Sequence, residues 1–296
     1  MDIYAIEYMQ KLTTAQKAVE RIKSGDTIVH GMSIAEPPAL LSAIADRVRE
    51  DDLKELEIFS FLPQEHAAKT VLAPDLSDCI QAYSWFVSGS DRALVKVGLN
   101  YFVPIYLFQL PRLLRDSMQI DVTITTVSPM DKAGYFSFGT ANDYTSTAAR
   151  HCKRLIVEVN ENMPRVFGDS HIHISEVDAI VENHVPLLEM IPPEPKPEDA
   201  MIGRHIAVLG PDGATIQFGI GGLPNAVAQY LERHNALGIQ SGLFVPAMVD
   251  LIEKGVVTGR KKTLHPRKNI FTVASGTKRM YEFMHDNPSM ESYPAS

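Results

Sequence analysis

Two stretches of this chain repeat one layout 188 residues apart, and that recurrence constrains the fold more than any other feature. Near the N-terminus the order is SGDTIVHG, a loop, then PPALLSAIADR. After residue 210 it is DGATIQFG, a loop, then PNAVAQYLER, with Gly213 standing where Gly25 stood. Each copy is a short apolar strand feeding a helix. The spacing is far longer than a solenoid repeat. The expectation is therefore an α/β fold: two tandem open α/β domains with mostly parallel sheets.

The elements between the copies agree. Thr14 suits a helix cap, Ala18, Val19 and Ile22 share a face, and Gly25 ends that turn before the strand TIVHG. Pro37 and Pro38 suit a helix start, and Leu40, Leu41, Ile44, Ala45 and Val48 form one stripe. LEIFSFL is the next strand. Strand, helix, strand in that order implies a parallel sheet covered by helices. IDVTITTVSP, RLIVEVN and DAIVEN read as further buried strands, and MDKAGYFSFG returns through Gly134 as a hairpin or tight loop.

VPLLEMIPPEPKPED is dense in proline and has no apolar period, so it reads as a linker. The expected domains are 1–190, a Pro-rich linker at 191–199, and a second domain over 200–296. The second copy continues with LGIQSGLF as one strand, PAMVDLIEKG as a helix, IFTVAS as a strand and TKRMYEFMHDN as a helix. With barely 100 residues it is a truncated copy. A parallel sheet that ends early leaves an unpaired edge, so the chain reads as a fragment, or as one whose edge another surface covers. A homodimer is the expected association.

With 28 basic and 36 acidic residues the net charge is −8, which argues against nucleic-acid and anionic-membrane partners. Cys79 and Cys152 are far apart and read as free thiols of a cytoplasmic protein. MDIYAIEYMQ lacks the basic-then-apolar pattern of a signal peptide. No run of about 18 apolar residues is present to span a membrane.

Three places carry candidate chemistry. QFGIGGLPNAVAQYL is a strand, a glycine-rich turn over Gly219, Ile220, Gly221 and Gly222, and a helix with Pro224 near its first turn. Such a turn lets backbone N–H groups approach an anion, or it is only a tight connection. It is no dinucleotide fingerprint, because Pro224 occupies the third glycine position and no acid follows about 20 residues on. Arg165, Asp169, His171 and His173 lie close in sequence. The two histidines would share a strand face, but a third ligand is missing, so no metal is expected. Glu36 precedes a helix, where a carboxylate complements the dipole.

SPMDKAGYFSFG, VEVNENMPRVFGDSHIHIS, QFGIGGLPNAVAQYL and MVDLIEKGVVTGRKKTLH together resemble the acetyl-CoA hydrolase/transferase family, and within it the 4-hydroxybutyrate CoA-transferases. The resemblance implies two CoA-transferase domains with the active site between them. It implies an acyl-CoA and a short carboxylic acid as substrates, with coenzyme A as the transferred group and no covalently bound cofactor. In the family a glutamate attacks the thioester carbonyl, released CoA attacks the acyl-anhydride, and the resulting glutamyl thioester passes CoA to the incoming acid. The turn Gly219–Gly222, with Pro224 and Gln240, matches segments that lie against that centre.

The family glutamate falls in the stretch Gly238-Ile239-Gln240-Ser241-Gly242-Leu243. The flanking LGI and VDLIEKGVVTG fix the register, so Gly242 takes its place. The polar stretch that follows in the family is replaced by Val245-Pro246-Ala247, and a later glycine-rich segment lies beyond Ser296. Ser241 is adjacent, but on a strand it would face away from Gly242, and it has no evident base. No catalytic residue is expected intact, and Ser241 and Glu36 are the weak substitutes. The expected function is CoA transfer of the 4-hydroxybutyrate or acetate type, impaired by Gly242. The alternatives are a non-catalytic isoform that binds acyl-CoA or a partner, and an acyl-CoA hydrolase using a water activated by Glu36.

Overall fold

The computed structural model describes residues 3–295; Met1, Asp2 and Ser296 lie outside them. The chain divides into two compact units. The first runs up to Met163 and includes His171–Pro186 with Pro294 and Ala295; the second comprises Pro164–Ser170 and Leu187–Tyr293.

In chain order the first unit begins with helices α1 (Ile3–Lys11) and α2 (Ala15–Val19), strand β1 (Thr27–His30) and helix α3 (Pro38–Arg49). It continues through β2 (Leu56–Phe61), α4 (Glu65–Lys69), β3 (Ile80–Phe86), α5 (Arg92–Lys96), β4 (Asn100–Phe102) and α6 (Leu110–Asp116). Then come β5 (Ile120–Val127), β6 (Tyr135–Ser137), α7 (Thr145–His151) and β7 (Cys152–Val159). After β8 (Phe167–Gly168), which belongs to the second unit, β9 (His171–His173) and β10 (Ala179–Glu182) complete the first.

Seven of these strands form one sheet in the order β10-β7-β5-β1-β2-β3-β4, and every pairing in it is parallel. The continuous apolar runs seen in the sequence follow from this, because helices and loops cover both faces. Neighbouring residues alternate between two cores. Ile156 packs with Ile28, Leu40, Leu41 and Ile44, whereas Leu155 and Val157 pack with Phe136, Phe138 and Ile172. The expected α3 stripe is buried in the first of these cores, at about 1.5–3 kcal/mol for each large side chain.

The segment through Gly134 is a tight loop, closed by Ser128 N–H to Ser137 O at 2.9 Å. Its strand β6 pairs antiparallel with β9. It forms no strand ladder with β5, because β1 and β7 already occupy both of that strand's edges.

The second unit adds α8 (Pro197–Leu209), β11 (Thr215–Ile216), α9 (Gly222–Leu231), β12 (Gly238–Ile239), β13 (Leu243–Phe244) and α10 (Pro246–Glu253). It ends with β14 (Asn269–Phe271), β15 (Val273–Ala274), α11 (Lys278–Met284) and β16 (Met290–Ser292). The strands form three small parallel groups, β11-β12, β13-β15 and β14-β16-β8. LGIQSGLF is thus not one strand: it is interrupted at Gln240–Gly242, because Gln240 and Ser241 turn to Ile270 while Gly242 and Phe244 face β15. Gly25 and Gly213 have the same backbone turn, with φ of +83° and +82°.

Candidate functional site

In the first unit the strand order reverses at β1. The chain runs outward through β2, β3 and β4, then returns to β5 on the other side of β1. The crevice at the carboxyl ends of strands flanking such a switch is where open α/β sheets bind ligands. The loop leaving β1 there, residues 31–37, is held by Thr126, whose hydroxyl donates to Glu36 O at 2.9 Å. Tyr144 likewise donates to His30 O at 2.9 Å. His30 is fully buried, and desolvation lowers its pKa to about 4.

Glu36 lies in this loop and is 2% exposed. It caps a helix, but not the one that follows it. Its carboxylate accepts Gln64 N–H at 2.7 Å and Ala67 N–H at 3.2 Å, at the start of α4. The start of α3 is held instead by Glu158, near the carboxyl end of β7, which accepts Ala39 N–H at 3.0 Å and Leu40 N–H at 3.1 Å. Two prolines swing the chain between Glu36 and α3, and this frees the carboxylate for a helix nearly 30 residues on. Burial raises Glu36 to about 8 and Glu158 to about 7, in both cases against the hydrogen bonds they accept. Asp143 is also buried and raised to about 7, although it accepts bonds from Tyr144 and Thr145.

In the second unit the glycine turn and the Gln240–Gly242 segment come together. Phe218, just before the turn, bridges Leu243. The Ser241 hydroxyl accepts Phe218 N–H at 3.4 Å and reaches Leu243 O at 2.7 Å. Ser241 is therefore spent on backbone groups. Strand alternation does not orient it, since it lies between strands. Gly221 has φ +121° and ψ 178°, a region open essentially to glycine alone. It lets α9 begin at Gly222, which places Pro224 third in the helix, where the ring needs no intrahelical donor. Ile220 points outward at 61% exposure.

Gly242 makes no such backbone demand. A Cβ built on it meets no heavy atom within 4 Å, and its φ lies outside the left-handed region. Its carbonyl accepts Thr272 N–H at 3.2 Å and Val273 N–H at 3.0 Å. The side-chain position next to the glycine turn is open space.

His171 and His173 share one face of β9, with the Tyr135 ring 6.5 and 4.9 Å from theirs. Among the described residues no group of three His, Cys, Asp or Glu could hold a metal ion. In the second unit Arg165 pairs with Asp286 at 2.5 Å. Cys79 and Cys152 are unpaired, and among the described residues no helix is long and apolar enough to cross a membrane.

Residues 2–192 match the model of the acetyl-CoA hydrolase/transferase N-terminal domain. The chain belongs to the acetyl-CoA hydrolase/transferase family. Within that family it is 38% identical to the 4-hydroxybutyrate coenzyme A transferase of Clostridium kluyveri, over 97% of this chain and 66% of the relative. It is 39% identical to the succinyl-CoA:cyclohexane-1-carboxylate CoA transferase of Geobacter metallireducens, over 98% of this chain and 65% of the relative. Among solved structures, RipA from Yersinia pestis superposes with a TM-score of 0.96 at 46% identity, over all of this chain and 70% of that one. This family member thus spans just under two thirds of the length of these curated relatives.

Sequence reasoning missed two residues. Glu158 is a lone acid inside the apolar run RLIVEV, and a buried charge without a partner is rare enough that its position could have announced a cap. Lys262 carries no such signal: in GRKKT it reads as part of a solvated basic loop, yet it is 7% exposed.

Proposed function

We propose that this chain handles acyl-CoA as a CoA-transferase of the 4-hydroxybutyrate or acetate type by descent, and that in its present form it binds the thioester without performing the covalent exchange. The observation that carries this reading is Gly242, with open space where a carboxylate would project and no backbone reason to be glycine. The two substitutes that the sequence offers are committed elsewhere: the Ser241 hydroxyl to Phe218 and Leu243, and the Glu36 carboxylate to α4. The names of the two relatives, a 4-hydroxybutyrate coenzyme A transferase and a succinyl-CoA:cyclohexane-1-carboxylate CoA transferase, support the substrate class. The matching turns at Gly25 and Gly213, each leading into a strand and then a helix, support two tandem domains, the second a shorter copy.

The test incubates the protein with acetyl-CoA and 4-hydroxybutyrate and follows 4-hydroxybutyryl-CoA. The expected result is calorimetric binding of acetyl-CoA with no exchange above the uncatalysed rate. Rapid exchange by the wild-type chain would overturn the reading. Exchange gained by Gly242→Glu would trace the deficit to that one position.

A further inference from the structure

Lys262 is built into the second unit with unusual care. Its stem lies so close over Gly238 that a Cβ there would sit 2.5 Å from Lys262 Cγ and 2.8 Å from Cδ. The strand β12 therefore needs glycine at that point to admit the lysine. The ammonium then meets three acceptors: Ile239 O at 2.6 Å, Lys268 O at 2.7 Å and Gln240 Oε1 at 3.1 Å. A lysine ammonium has three donors and no lone pair, so all three donors are used.

The third contact has a chemical consequence. Either end of a glutamine amide can face a hydroxyl, but only the oxygen can face an ammonium. Gln240 is thus locked in one of its two flips, with its NH2 turned away from Lys262. The backbone beside it is fixed as well, because Gln240 N–H donates to Ile216 O at 3.2 Å. Gln240 is half-buried, two residues before Gly242.

We propose that Lys262 is a positioning residue, clamping the Gln240 amide so that its NH2 stands as a fixed donor to the carbonyl or carboxylate oxygen of an acyl ligand. This rests on the reading of the Gln240–Gly242 segment as the acyl-CoA site. The side-chain contact to Gln240 ties Lys262 to the segment read as the acyl-CoA site.

Two variants test the clamp. Lys262→Met keeps the stem over Gly238 and removes the charge. Gln240→Glu keeps an acceptor for Lys262 and removes the donor. In Lys262→Met the Gln240 side-chain amide resonances should move or broaden as the flip is released, and acetyl-CoA affinity should fall about tenfold, the worth of one hydrogen bond. In Gln240→Glu the thermal midpoint should hold or rise while affinity falls at least as far. Gln240→Glu binding acetyl-CoA as tightly as wild type would overturn the proposal, as would Gln240 resonances that ignore the loss of the ammonium. Wild-type protein that fails to bind acetyl-CoA would instead sink the reading of the site, while the resonances still judge the clamp separately.

Discussion

Raising the pH from 6.5 to 8 should destabilise the first unit by about 3 kcal/mol, and three buried carboxyl groups set that figure. Glu36 is raised to about 8, and Glu158 and Asp143 to about 7, chiefly by burial. Their unfolded values are about 4.3 and 3.9. Each group holds its proton in the folded state where the unfolded chain has released it. The stability this confers is fully present below about pH 4 and is lost as the pH rises through 7 to 8. His30, lowered to about 4 by burial, acts in the opposite sense. Its contribution is fully present by about pH 8, slightly reduced at pH 6.5 and lost as the pH falls toward 4, so across the chosen window it offsets only about 0.4 kcal/mol. One proton is worth about 1.4 kcal/mol per pH unit. Over this window Glu36 contributes somewhat under 2 kcal/mol, and Glu158 and Asp143 slightly under 1 kcal/mol each, by the same linkage.

The single tryptophan, Trp85, lies in the first unit at 1% exposure, so its fluorescence follows that unit alone. With a urea slope of about 2 kcal/mol per molar, the midpoint should fall by more than about 1 M across the window. In Glu36→Gln the drop should shrink by about half. A midpoint that stays level or climbs with pH would refute the reasoning, as would a Glu36→Gln profile parallel to wild type.

Other outcomes follow from the same geometry. Glu158→Ala leaves the buried Leu40 N–H and the part-buried Ala39 N–H at the start of α3 without their acceptor, at about 1–3 kcal/mol for the buried one, and amide exchange at Ala39 and Leu40 should accelerate. Gly221→Ala forces a methyl-bearing residue to φ +121° and should lower stability by about 1–3 kcal/mol. Gly242→Ala, in open space with no positive φ, should stay within about 0.5 kcal/mol of wild type; urea unfolding of the two glycine variants side by side makes the comparison.

Much of the first unit was legible because its physics is local. The α3 stripe and the strands TIVHG, LEIFSFL and IDVTITTVSP announce themselves by apolar period and run length, and the parallel sheet follows from their alternation with helices. The target of Glu36 was not legible. Its partner, α4, is a five-residue helix with no periodic signature of its own, and only the packed fold brings Gln64 and Ala67 to the carboxylate. The break at Gln240–Gly242 was hidden for a related reason. LGIQSGLF has the composition of one strand, and the competing hydrogen bonds to Ile270 and β15 that divide it come from residues far along the chain. Gly242 was legible as a position from the flanking register. That nothing in the backbone requires a glycine there could be read only from the geometry around it.

The central claim, that this chain keeps the acyl-CoA scaffold without the covalent step, is tested most directly by intact-mass spectrometry. The protein is incubated with acetyl-CoA and quenched in acid, and its mass is compared with that of the untreated protein. The account predicts no added CoA or acetyl group on the wild-type chain. A stoichiometric adduct mapped to any carboxylate of the wild-type chain would contradict it.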